Sequence, residues 1–219
     1  MTALLVSMTD TPGLPSLPNA ALEDEAVESV LKDTMDCQVL HHPDSVTVKD
    51  RLKESSVVLF ACHSYANPKD PSLSSIMLKD CEVQPARFSV RTILGMKLER
   101  CELAYLSSCE SGASKDLLLR DEGINLAGGF HMTGIPHTVS TMWQVADHVS
   151  REITVEFFRE IKDERGQVDV LCARMLFILV FSIREIRAFI PCYGVHLSTR
   201  ATDHQSSKGS RSGSVACAS

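Results

Sequence analysis

The chain has 219 residues, 44% hydrophobic and 23% charged, a balance that suits one globular domain with an apolar core and excludes a disordered polymer. Its formal net charge is -6. With no stripe of basic and aromatic residues, that charge argues against nucleic-acid and anionic-membrane partners, which require clustered Lys and Arg.

The first basic residue is Lys32, so no positively charged region precedes the apolar opening. The expected location is therefore cytoplasmic, with the nucleus as the alternative. Eight cysteines in such a compartment are expected to be reduced, most of them as small buried side chains. No C-x-x-C pair occurs, which argues against structural zinc, and no metal or cofactor is expected. The apolar run Met175–Ile183 lies between Arg174 and Arg184. It is far shorter than the about 20 residues that span a bilayer, so it reads as a buried helix or strand.

In chain order, Ala3–Met8 ("ALLVSM") reads as a strand, followed by the Pro/Gly-rich loop "TDTPGLPSLPNA". Asn19 is placed to cap a helix over "AALEDEAVESVLKD", with Leu22, Ala26, Val27, Val30 and Leu31 on its inner face. The acidic start of that helix suits the positive end of its dipole. Cys37–Leu40 reads as a second strand, and "SVTVKDRLKES" as a short helix with Val48 and Leu52 inward. Ser56–Cys62 is the third strand, apolar on both faces as a central parallel strand should be.

A polar loop, a short strand "SIMLKD" and a helical piece around "FSVRTIL" follow. Cys101–Ser107 is the fourth core strand, and Asp121–Gly134 reads as a helix that ends at Gly134. "PHTVSTMW" is a fifth strand, and Ser150–Glu164 a strongly amphipathic helix. Such alternation predicts an α/β fold: a mostly parallel sheet with helices on both faces. The expected organisation is a domain over 1–166, a divergent segment over 167–197 that could complete the fold, and a Ser/Gly-rich disordered tail over 198–219.

Two strand ends carry the chemistry. His63 follows "VVLFAC" directly, and Cys109 stands at the tip of "CELAYLSSC". Reactive groups in an open parallel sheet gather beyond the carboxyl ends of the strands, where diverging loops leave a crevice. If the two strands are neighbours, about 4.8 Å apart, imidazole and thiol converge there. The thiolate is the nucleophile, and an adjacent imidazole can take its proton and later deliver one to a leaving amine. Backbone N–H groups of Cys109 and of the Ser64 turn are candidates for stabilising an oxyanion. His63 precedes Cys109 by 46 residues, near the roughly 50 of caspases, although "SSCESG" only loosely echoes the caspase signature. Cys62 should point to the opposite face as core filling.

The blocks "SVVLFACHSYANPKDPSLSSIMLKD", "LAYLSSCESGA" and "DEGINLAGGFHMTGIPHTVSTMWQVAD" together resemble the CHAT domain, a caspase-like cysteine-peptidase family related to separase. The opening segment is similar to the same domain in large fungal proteins, where it follows tetratricopeptide repeats or a nucleotide-binding domain. The resemblance covers about Ala3 to Lys162. It implies a caspase–hemoglobinase-like three-layer sandwich, a His63/Cys109 dyad, a polypeptide substrate and no cofactor. Tetratricopeptide-repeat or nucleotide-binding domains are the partners it suggests.

It also implies that Asp121 or Glu122 could receive a basic P1 side chain, the alternative role being stabilisation of a helix N-terminus. Trp143 is expected beside the cleft, and Asp147 as the cap of the following helix. His131 and His137 read as structural or surface groups. The family has glycine directly after the histidine, where this chain has Ser64, and its closing segment is not recognisable after Gly166. The principal functional expectation is a cysteine endopeptidase. A catalytically inactive interaction module and a thiol redox sensor are the alternatives.

Overall fold

The first strand, β1 (Thr2–Ser7), is buried along nearly its whole length, because its alternating side chains face two covered sides of a sheet. The structure, a computed structural model, describes residues 1–67, 69–79, 85–107, 126–141 and 146–163, together with the backbone of 195–199. The strand β2 (Asp36–His41) flanks β1 on one side and β3 (Val57–Ala61) on the other, both parallel.

A small antiparallel sheet follows in sequence: β4 (Ser64–Tyr65), β5 (Ser75–Lys79) and β6 (Pro85–Ser89). The chain then returns to the main sheet as β7 (Leu103–Leu106), parallel to β3, and β8 (His137–Thr141), parallel to β7. The last strand, β9 (Val195–Thr199), pairs antiparallel with β8. The main sheet is six-stranded, in the order β2-β1-β3-β7-β8-β9.

Each face of this sheet has its own apolar cluster. On one side Ala3, Leu5, Leu59 and Tyr105 pack against α1 (Pro18–Leu31) and α5 (Asp147–Asp163). On the other side Val6, Phe60 and Leu106 pack against α2 (Ser45–Leu52), α3 (Val90–Leu94), α4 (Leu126–Met132) and the small sheet. The result is the mostly parallel α/β sandwich that the strand–helix alternation predicts, of the caspase–hemoglobinase-like kind that the resemblance implies. Since α1 covers one face and α2 the other, the chain reverses direction across the sheet between β1 and β3. The crevice beyond their carboxyl ends is therefore a topological switch point.

Local differences from the sequence reading have simple causes. The inner face of α1 is rotated: Ala20, Glu23, Asp24, Val27 and Leu31 are buried, while Leu22 is exposed. Helical spacing is kept, but two acidic residues take places that hydrophobicity alone assigns to Leu22. The helix begins at Pro18, whose missing N–H costs nothing at a first helical position, and Asn19 is not the cap. Phe88 and Ser89 belong to β6, where Phe88 lies opposite Ile76, and the helix starts only at Val90 with Ser89 as its cap. Gly134 ends α4 with a φ of 105°, a conformation that glycine takes without strain. Residues Met175–Ile183 and 200–219 lie outside the described part, whereas Ser198 and Thr199, read from sequence as tail, belong to β9.

Candidate functional site

Strand alternation sets the site. Val58, Phe60 and Cys62 point to the face covered by α2 and α4, so His63 turns to the side of α1 and the loop that precedes it. There its Nε2 lies 2.8 Å from the carbonyl oxygen of Pro15. A carbonyl can only accept, so Nε2 carries the proton and Nδ1 keeps the lone pair. The ring is thus held in the tautomer that a general base requires, with its basic nitrogen turned away from the loop.

The loop that holds it is built to keep its shape. Residues 9–17 include Pro12 and Pro15, and Pro18 follows at the start of α1. Leu14 N–H donates to Thr11 O, and Gly13 takes a φ of 76°. The ends are tied by Leu17 N–H and Ser16 Oγ, which donate to Thr9 O at 2.7 and 3.1 Å. Proline fixes φ at two positions of the loop, and together with these hydrogen bonds that stiffens the segment from which the Pro15 carbonyl projects.

Cys62 behaves as the core residue the alternation predicts: it is fully buried, and its Sγ lies 3.5 Å from Val6 O. Burial raises its thiol well above the ordinary value, and raises that of Cys101 to about 12. Cys37, half-buried, is raised for the same reason. None of these three thiols is set up as a nucleophile. Ser64 opens β4 opposite Ile76. Among the described residues His42 is the one non-glycine with positive φ, so Ser64 follows His63 without left-handed strain. Cys109, Asp121, Glu122 and Trp143 lie outside the described residues.

One row below the histidine, toward the middle of the sheet, Ser7, Ala61 and Ser107 occupy the side of α1 and α5. Ser7 and Ala61 are direct neighbours in the ladder. Their small side chains leave room for the carboxyl groups of Glu23 and Asp24, which are 2% and 0% exposed. Desolvation raises Glu23 to about 7, opposed by the hydroxyls of Ser107 and Thr154, and raises Asp24 to about 8, opposed by Ser7. Ser7 Oγ is itself 2.9 Å from His41 Nδ1, and that nitrogen is 3.8 Å from Asp24 Oδ2, beyond hydrogen-bond reach. Neither oxygen of Asp24 has a hydrogen bond of good geometry.

The same face carries a hydroxyl chain, Thr154 Oγ1 to Ser107 Oγ at 3.3 Å and Ser107 Oγ to Ser150 Oγ at 2.9 Å. It ties α5 to the residue just beyond β7. Asp147 does not act as the sequence predicts. It is the first residue of α5, and its Oδ2 accepts from Asn19 N and Nδ2 at 2.9 and 2.7 Å. It thereby caps α1 rather than the following helix. Of the two histidines read as structural or surface groups, His131 donates from Nδ1 to Ile135 O at 3.1 Å, and His137 is buried in β8. Sequence reasoning missed Glu23, Asp24 and Pro15. Among the described residues no group of three or more His, Cys, Asp or Glu side chains could hold a metal, and no helix is long and apolar enough to cross a membrane.

The sheet order and covering helices define an α/β sandwich of caspase/hemoglobinase-like architecture. Within it the chain belongs to the CHAT domain family, whose model matches residues 2–176. Among solved structures, the Arg-specific cysteine proteinase gingipain R is similar with a TM-score of 0.52 at 10% identity, over 74% of this chain and 37% of that one. A secreted C11 cysteine protease from Bacteroides thetaiotaomicron, bound to an irreversible peptide inhibitor, gives a TM-score of 0.43 at 8% identity, over 67% of this chain and 50% of that one. A flavodoxin from Streptococcus pneumoniae gives 0.42 at 14% identity, over 75% of this chain and 99% of that one. No curated protein matches the chain.

Proposed function

We propose that the chain is a cysteine endopeptidase in which Cys109 is the nucleophile and His63 its general base and acid. The observation that carries this reading is the His63 Nε2–Pro15 O contact of 2.8 Å, made at the switch-point crevice. It orients an imidazole beside the strand that leads to Cys109. The ladder adds support: Val57 lies opposite Leu103 and Phe60 opposite Leu106, an offset of 46 residues. His63 and Cys109 are separated by the same 46 in the sequence.

The chemistry balances without a cofactor. Nδ1 of His63 takes the thiol proton, and the thiolate sulfur bonds to the scissile carbonyl carbon. The resulting oxyanion collapses as the C–N bond breaks, and the imidazolium gives its proton to the leaving amine. His63 then deprotonates a water, which attacks the thioester; the freed thiolate recovers the proton. N–H groups of Ser64 and Cys109 are the proposed oxyanion donors, and the Pro15 carbonyl stabilises the imidazolium. The proposed substrate is a polypeptide. A basic P1 side chain would meet Asp121 or Glu122 beside Trp143, and tetratricopeptide-repeat or nucleotide-binding domains are the proposed partners.

The test is labelling of Cys109 by an electrophilic peptide, read by mass spectrometry. Cys109→Ala should abolish it, and His63→Ala should slow it by on the order of 10²–10⁴-fold. Labelling of Cys109 unchanged by His63→Ala rejects the dyad. A folded protein inert toward the probe leaves the interaction module in its place.

A further inference from the structure

His42 is the residue that ordinary strand continuation does not explain. It follows β2 with a φ of 51°, a left-handed conformation that crowds the β-carbon of any L-residue but glycine. Its N–H is tied to Ser7 O at 2.9 Å. Its ring turns to Thr9, with Nε2 2.8 Å from Thr9 Oγ1. The Thr9 hydroxyl has one proton to donate, and Asp10 Oδ2 lies 3.2 Å away. With that proton on Asp10, Nε2 of His42 is the donor and the bonds run His42 to Thr9 to a carboxylate; with it on His42, Thr9 is the donor, and in either case the 2.8 Å contact ties the ring to Thr9.

Thr9 is also the residue whose carbonyl closes the loop, accepting from both Leu17 N and Ser16 Oγ. Within the loop so closed stands Pro15, whose carbonyl holds His63. We infer that His42 is a positioning residue for His63: by fixing Thr9, it fixes the closed loop and thereby the carbonyl that selects the His63 tautomer. Backbone strain at such a place persists because the surrounding bonds over-determine it. The inference deepens the peptidase reading and rests on it for its catalytic consequence. The coupling between the two rings is a physical claim that can be read without turnover.

The experiment compares the full-length protein with His42→Gly, which relieves the backbone and removes the ring, and with His42→Gln, which returns an amide donor near the Nε2 position. Thr9→Val removes the hydroxyl alone. Nitrogen-15 NMR of the His63 ring reads the tautomer. The wild type should show the Nε2–H form; His42→Gly and Thr9→Val should show a mixture of tautomers, and His42→Gln should restore the single form.

In parallel, alkylation of Cys109 by iodoacetamide against pH should slow by roughly tenfold to a hundredfold near neutrality in His42→Gly. Its pH profile should shift, with recovery in His42→Gln. An unchanged His63 tautomer and an unchanged profile in folded His42→Gly overturn the inference. If alkylation in the wild type does not depend on His63, the peptidase reading falls, while the NMR comparison still decides whether His42 positions His63.

Discussion

The two faces of the central sheet are stabilised by different chemistry. Under α2, α3 and α4 the layer is apolar along β1, β3 and β7, with Phe60 between Phe88 and Phe130 at ring distances of 6.3 and 5.6 Å, and β8 adds the buried hydroxyls of Thr138 and Ser140. Under α1 and α5 only the lower part is apolar, where Tyr105 packs on Phe157 and Phe158 at 4.8 and 5.6 Å. Toward the carboxyl ends of the strands that face changes to Ser7, Ser107, Thr154 and the carboxyl groups of Glu23 and Asp24, all buried. One face serves as an anchor. The other carries polar groups next to the histidine, where burial disfavours charge and where a proton more or less changes the packing.

The largest effect should come from breaking the anchor. Phe60 is fully buried, and Phe60→Ala should cost about 3–5 kcal/mol, with the loss nearly independent of pH. Urea unfolding at pH 5 and pH 8 measures both points. A loss under about 1 kcal/mol would mean that this face does not carry the fold.

The opposite face should respond to pH. Glu23 and Asp24 stand at about 7 and 8 in the fold, against 4.5 and 3.8 without it. The fold therefore holds protons that the unfolded chain releases, and stability falls as pH rises from about 4 through about 8. Above both folded values the loss levels off. The double variant Glu23→Gln, Asp24→Asn should flatten that decline and raise the melting temperature at pH 8 by several degrees. Parallel melting curves for the two proteins between pH 5 and pH 8.5 would contradict the assignment of the buried acids.

Much of this architecture is legible in the chain. The central strands β1, β3 and β7 announce themselves as short apolar runs, because a parallel strand covered on both faces needs one. His63 and Cys109 stand out because each follows such a run. What escapes is whatever depends on phase or on distant backbone. Hydrophobicity turns Leu22 inward on α1, but the small residues Ser7 and Ala61 at the ends of two strands and Ser107 just beyond a third make the space that Glu23 and Asp24 fill. The strand β6 is only five residues long and begins with Pro85, so its alternation is too brief to separate it from the helix that follows. The Pro15 carbonyl is invisible to any motif, since every residue has one; only the fold brings it to His63 across 48 positions.

The smallest effect tests how the polar face is joined to the loop. Asp147 accepts two hydrogen bonds from Asn19, one from an N–H that no residue of α1 can satisfy at the first turn of the helix. Its charge also faces the positive end of α1. Asp147→Ala should cost about 1 kcal/mol, the usual size of a lost cap, whereas Asp147→Asn keeps an acceptor and should cost less. Because α1 begins one residue after the loop that carries Pro15, the same change should raise amide hydrogen exchange in residues 14–20 more than in β1. Exchange that rises equally in both would mean that Asp147 secures the whole sheet rather than the start of α1, and the loop would then depend on Thr9 alone for its closure.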